Sequence, residues 1–236
     1  MTHLDMLFDR LDIWRHFPNY QLERRADILF SLYLTQVLET KLGFPLLPDL
    51  VPEFPVRIGT IYPDIPNDKS YKIDYVALSA DSETAILVEL KTEVMSRRPE
   101  QDKYLMAAQS VGLPSLLDGL LDIFRATNSQ RKYFYLLKQL ELMGLLQIPS
   151  QVKEVMSRSS LQGLTAASRQ IENTAKEKVK NSLVVYLQPH GEGSGVISFS
   201  EFAEVVRRHD DPVSQRFAVS LSRWAATQAG ENDHIF

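Results

Sequence analysis

The sequence predicts an α/β fold, a mixed β-sheet flanked by helices and extended by a large helical insertion. Three observations predict it. A helical rhythm of apolar residues opens near residue 20, two strands rich in β-branched residues follow within 71–92, and the next clear strand comes only at 182. Between 99 and 180 the pattern is helical. The 236 residues are read as one domain, 1–236, with 112–180 as the insertion, because folded units commonly run about 100 to 200 residues.

The first helix is expected over 20–42, where Leu22, Ala26, Leu29, Phe30, Tyr33 and Val37 recur at three- and four-residue steps until Gly43 and Pro45 stop it. Six prolines between 45 and 66 keep the next stretch extended or turning, with one strand at Val56–Ile61. Tyr71–Leu78 and Thr84–Thr92 then form a hairpin around the turn-rich residues 79–83. Helical segments are expected at 99–111, 115–126, 130–143, 151–159 and 161–180. The clearest carries Tyr133, Leu136, Leu137, Leu140 and Met143 on one stripe and stops at Gly144. Strands follow at 182–188 and 196–199, separated by a glycine-rich loop. Ser198 and Glu201 have the spacing of a capping box for a helix to Arg208, and Pro212 opens a last helix to about Gln228, before a loose tail.

Composition narrows the function. Apolar residues at 44% and charged residues at 24% exclude a disordered chain, a collagen and a coiled coil. The absence of cysteine excludes disulfides, thiolate nucleophiles and sulfur-ligated zinc, and fits a reducing compartment. Asp5, Asp9 and Asp12 interrupt the N-terminus where a secretory signal needs apolar residues, and no window has the length of a membrane span, so the expectation is a cytoplasmic protein. The net charge of -4 is unevenly divided: 8 basic against 14 acidic residues in 1–90, 14 against 9 in 91–180, and 4 against 7 in 181–236. The basic middle third is a candidate surface for a polyanion, with an ordinary solvated helical face as the alternative.

The hairpin carries the chemistry. If its turn is symmetric, opposed residue numbers sum to a constant 163, and Asp74 faces Glu89 on one side of the sheet. Like charges there repel. Lys91 lies two residues beyond Glu89 on the same face, and Lys72 opposes it. Two adjacent carboxylates can share Mg²⁺, which retains waters able to attack a phosphate, and an amine beside them can position such a water. The alternative is a cross-strand salt-bridge network of Lys72, Asp74, Glu89 and Lys91.

Asp74 on one strand and Glu89-Leu90-Lys91 ending the next resemble the Asp…Glu-x-Lys core of the PD-(D/E)xK nuclease superfamily, with its restriction-endonuclease-like fold. The order helix, strand, hairpin, helix, strand is similar too. The resemblance implies a nuclease-like domain and a DNA-cleaving hydrolase using Mg²⁺ or Mn²⁺, with Asp74, Glu89 and the Leu90 backbone carbonyl as metal ligands and Lys91 as the group that positions water. It implies an auxiliary carboxylate on the first helix, for which Glu23 is the candidate and Asp27 and Glu39 are weaker substitutes. Gln101 and Tyr104 are three apart where some exonuclease-like members carry Gln-x-x-x-Tyr, a departure of one residue. Arg97 and Arg98 are candidate phosphate contacts. The five histidines show no ligand spacing, and no phosphate-binding glycine loop is present. A second reading is a catalytically silent nuclease-like protein whose helical insertion binds a protein partner, nucleic acid or another copy of itself.

Overall fold

A computed structural model describes residues 2–18, 20–65, 69–93 and 99–230, the last four of them by backbone alone. Thr2 opens α1 (His3–Trp14): its hydroxyl accepts the Asp5 N–H, and the Asp5 carboxylate accepts the Thr2 N–H in return. The helix expected over 20–42 is two, α2 (Glu23–Ser31) and α3 (Leu34–Leu42). The break falls at Leu32 and Tyr33, where the Tyr33 hydroxyl is tied to buried Ser214 at 2.8 Å. Gly43 closes α3 in the left-handed region, φ 78°, which glycine adopts without a Cβ penalty.

The strand expected at 56–61 starts earlier, as β1 (Val51–Arg57), and 58–61 is one helical turn, α4 (Ile58–Ile61). β1 carries two prolines and lies at the edge of the sheet, the place where a strand tolerates proline best. The hairpin is β2 (Ser70–Leu78) and β3 (Thr84–Leu90). Between them Asp81 accepts the Ser79 hydroxyl at 2.5 Å and the Glu83 N–H at 2.9 Å. The Ser79 N–H reaches the Thr84 carbonyl at 2.9 Å, a pairing whose numbers sum to the expected 163.

The helical stretch opens with α5 (Pro99–Ala126), broken at Gly112 (φ 76°, ψ 157°) two residues before Pro114, so the expected segments 99–111 and 115–126 are separated where the sequence separates them. Then come α6 (Gln130–Leu142), β4 (Leu146–Gln147) and α7 (Ser150–Ser157). The long helix expected over 161–180 is instead α8 (Leu164–Ser168), β5 (Glu172–Asn173) and α9 (Ala175–Lys178). The Asn173 side-chain amide donates to the Pro114 carbonyl and to Asp118, a tertiary demand that overrides the helical rhythm. The chain ends with β6 (Asn181–Gln188), β7 (Val196–Ser198), α10 (Phe199–Val206) and α11 (Pro212–Gly230). The expected capping box is present: the Ser198 hydroxyl accepts the Glu201 N–H while Glu201 accepts the Ser198 N–H. Of the expected loose tail, 231–236 lies outside the described residues.

Strand order in the sheet is β1-β2-β3-β6-β7, and β4 pairs with β5 in a separate ribbon. β1 and β2 are antiparallel, whereas β6 and β7 are parallel, so the sheet is mixed and helices flank it. The chain divides into two compact units: Met1–Leu46, Val88–Gln101 and Val185–Phe236 form the first, and Leu47–Leu87 with Asp102–Val184 the second. The first is built on an aromatic core, with Phe30 within 5.2–6.4 Å of the rings of Phe199, Phe202, Phe217 and Trp224. The second holds the whole of 112–180 and buries leucines such as Leu116, Leu117, Leu120, Leu137 and Leu140. Gly119 lets α5 approach α4 there, since a Cβ at that position would lie 2.2 Å from the Thr60 hydroxyl. Among the described residues no helix is long and apolar enough to cross a membrane.

Candidate functional site

β3 is buried on both faces through Leu90, as its unbroken apolar run predicts, and its last residues carry two charges into that interior. Glu89 is 2% exposed and Lys91 5%. The Lys91 N–H donates to the Leu187 carbonyl at 2.7 Å, which fixes the backbone just past the strand against β6. Alternation sends both side chains to one face, and the flexible lysine stem brings Nζ to 2.7 Å from Glu89 Oε1.

Gln101 meets this pair, and Glu23 meets the peptide just past it. Glu23, half-buried in the first turn of α2, accepts the Thr92 N–H at 3.3 Å through Oε1, one residue past Lys91. The step of about 100° per residue aligns Glu23 with buried Ala26 and Phe30, which turns it inward. Gln101 in the first turn of α5 donates through Nε2 to Glu89 Oε1 at 3.3 Å. Its own Oε1 is buried and has no hydrogen-bond partner among the described residues. In the sequence Gln101 stands out only as half of an imperfect motif; an amide near a helix start carries no signal that it will turn back to the strand before it.

Asp74 belongs to the second unit, half-buried on β2. The β1–β2 register, whose paired numbers sum to 127 on both sides of this position, sets it opposite Glu53. Lys72, two residues away on the same face, pairs with Glu53. Of the four charges, Lys72 pairs with Glu53 and Lys91 with Glu89. Tyr104 donates to the Lys72 carbonyl at 3.1 Å and stacks on Tyr71 with centroids 4.5 Å apart. Leu90 is buried, while Arg97 and Arg98 lie outside the described residues.

The donors gathered around β3 are oxygens: the Glu89 and Glu23 carboxylates and the Gln101 amide oxygen. Such hard donors suit Mg²⁺ or Mn²⁺, and a buried amide oxygen without a partner is a place where a cation or an ordered water would recover lost energy. Among the described residues no group of three or more histidine or acidic side chains is placed to hold an ion. Mg²⁺ typically takes only one or two carboxylates and completes its shell with water and phosphate oxygens. Comparison with protein-family models, with curated proteins and with solved structures finds no match.

Proposed function

We propose that this chain is a metal-dependent phosphodiesterase with a restriction-endonuclease-like fold, cleaving DNA in the cytoplasm with Mg²⁺ or Mn²⁺. The observation that carries the reading is the buried Lys91–Glu89 pair at the end of β3, with the Glu23 carboxylate on the neighbouring peptide. Desolvating two charges costs several kcal/mol, roughly what their attraction returns, and an apolar pair of the same volume is often as stable. A buried pair held this closely is better explained by chemistry than by stability. In this reading Glu89 and Glu23 hold the cation, with the Leu90 carbonyl contributing by resemblance. Asp74 is the second main carboxylate, on the strength of its sequence register. The metal, when bound, supplies Lewis acidity and a more acidic water. Lys91 orients the attacking water and offsets negative charge growing on the phosphate, and Gln101 keeps Glu89 in its rotamer.

The test is cleavage of a mixed DNA panel, duplex and single-stranded, with each metal. Wild type is expected to cut in a metal-dependent way, and Asp74→Ala, Glu89→Gln and Lys91→Met are each expected to lose at least about a hundredfold in rate. A wild-type protein that cuts nothing with either metal overturns the reading. One observation favours a second reading. Lys91 already neutralises Glu89, as it would in a nuclease-like protein that has given up catalysis and serves as a binding module.

A further inference from the structure

The first unit presents a strip of arginine and aromatic side chains, exposed at Trp14 and half-buried at Tyr20, that leads into the same helical turn as Glu23. Arg10 lies over the Trp14 ring at 5.5 Å, Trp14 meets Tyr20 edge to face at 6.1 Å, and Arg25 lies over Tyr20 at 5.9 Å. The Phe17 N–H donates to the Trp14 carbonyl and the Tyr20 N–H to the Phe17 carbonyl. Trp14 is 39% exposed and Phe17 52%, large apolar surfaces that a folded chain ordinarily covers.

Arginines supply the positive charge of the strip. Arg10, Arg24 and Arg25 are exposed and make no ion pair with a described residue. The acids of α1 that would repel an anion are already occupied: Asp9 is paired with Arg216, and Asp12 with Arg216 and Arg223. Exposed arginines beside partly exposed aromatic rings are the chemistry that holds an unpaired nucleic-acid strand, the rings taking bases and the guanidinium groups taking phosphates. A duplex keeps its base faces stacked inside, so rings on the protein have nothing to stack on.

From this we infer that the Arg10–Trp14–Tyr20–Arg25 strip binds single-stranded DNA and delivers it toward Glu23, so that the substrate is an unpaired strand or end. The inference rests on the phosphodiesterase reading for its purpose but not for its test. Binding is measured in EDTA, where no metal-dependent cleavage occurs, by anisotropy of a labelled oligothymidine of about 15 nucleotides and of a duplex of equal length. The single strand is expected to bind at least tenfold more tightly, and Trp14→Ala and Arg25→Glu are each expected to weaken it about tenfold or more. The exposed Trp14 indole should be quenched by the strand. Trp14→Phe should abolish the quenching while Trp224, 1% exposed and the only other tryptophan, keeps the emission of a folded core.

Equal affinity for strand and duplex, or a single-strand affinity unchanged in both Trp14→Ala and Arg25→Glu, overturns the inference. So does a strip that instead joins two copies, seen as a dimer in light scattering that Trp14→Ala dissociates without changing DNA binding. Strand binding in EDTA by a protein that never cleaves leaves the inference standing and removes the phosphodiesterase. Cleavage with duplex preference does the reverse.

Discussion

At the scale of single residues, Glu89 and Lys91 separate what a fold needs from what a reaction needs. Each is buried, so removing one deprives the other of the opposite charge 2.7 Å away. Glu89→Ala or Lys91→Ala alone is expected to cost about 3–5 kcal/mol, because an uncompensated charge remains in the interior. The double variant Glu89→Leu with Lys91→Met leaves no charge behind and fills similar volume, so it should recover most of that loss and lie within about 1–2 kcal/mol of wild type. Urea unfolding of the four proteins reads this directly. Double-variant stability no better than that of the worse single variant would show that the pair is held for the fold. Sequence spacing foresaw the shared face of these two residues, because period-two alternation needs only a correct strand. It did not foresee Gln101, whose contact depends on where α5 begins, nor the pairing of Lys72 with Glu53, which needed the β1 register.

At the scale of elements, α1 is tied to α11 by the Asp12 carboxylate, which accepts from Arg216 at 3.0 Å, Arg223 at 2.9 Å and the Trp224 indole at 2.8 Å. Burial pushes this carboxyl up, but hydrogen bonds from Ser220, Arg216, Trp224 and Arg223 together outweigh it and hold Asp12 below its ordinary value. A depressed folded-state value means the contribution is complete above the unfolded value near 3.9 and is lost as pH falls from there through the folded value. Asp12→Asn is therefore expected to cost about 1–3 kcal/mol at neutral pH and to flatten the decline in stability below about pH 4. The check is the urea midpoint of both proteins across pH 2–7. An unchanged acid limb would remove Asp12 from this role. The clasp also marks the boundary of what the sequence disclosed. Hairpin, α6, α10 and α11 were legible because patterning, caps and stops agree within a few residues. α1 was missed although Thr2 and Asp5 have capping spacing, because the acids looked only like a broken leader. The expected helices over 20–42 and 161–180 failed where Tyr33 and Asn173 answer to distant partners.

At the scale of the whole molecule, the basic middle third does not survive folding as a basic unit. The segments of the second unit, 47–87 and 102–184, carry 14 basic and 14 acidic residues, so no surplus remains, and some of these charges are paired, as Lys176–Asp118 and Lys180–Glu83 are. The first unit therefore carries the whole net charge of -4. A divalent cation will be drawn to such a surface without choosing a site, so affinity alone says nothing about Glu89, and the useful measurement is one in which site and surface respond differently. A ligand that binds only the folded state raises its melting temperature with concentration, whereas diffuse screening follows ionic strength and is matched by monovalent salt. At constant ionic strength, millimolar Mg²⁺ or Mn²⁺ is expected to raise the wild-type melting temperature, by about 2–4 °C for each kcal/mol of binding in a chain of this size. Glu89→Gln, which removes the charge and keeps the shape, should lose that rise while retaining the smaller response to NaCl. Glu23→Gln should reduce it, since its carboxylate meets the peptide beyond Lys91. A wild type that melts at the same temperature with and without either metal, or a rise that survives Glu89→Gln intact, would move the metal away from β3 and leave the binding-module reading in its place.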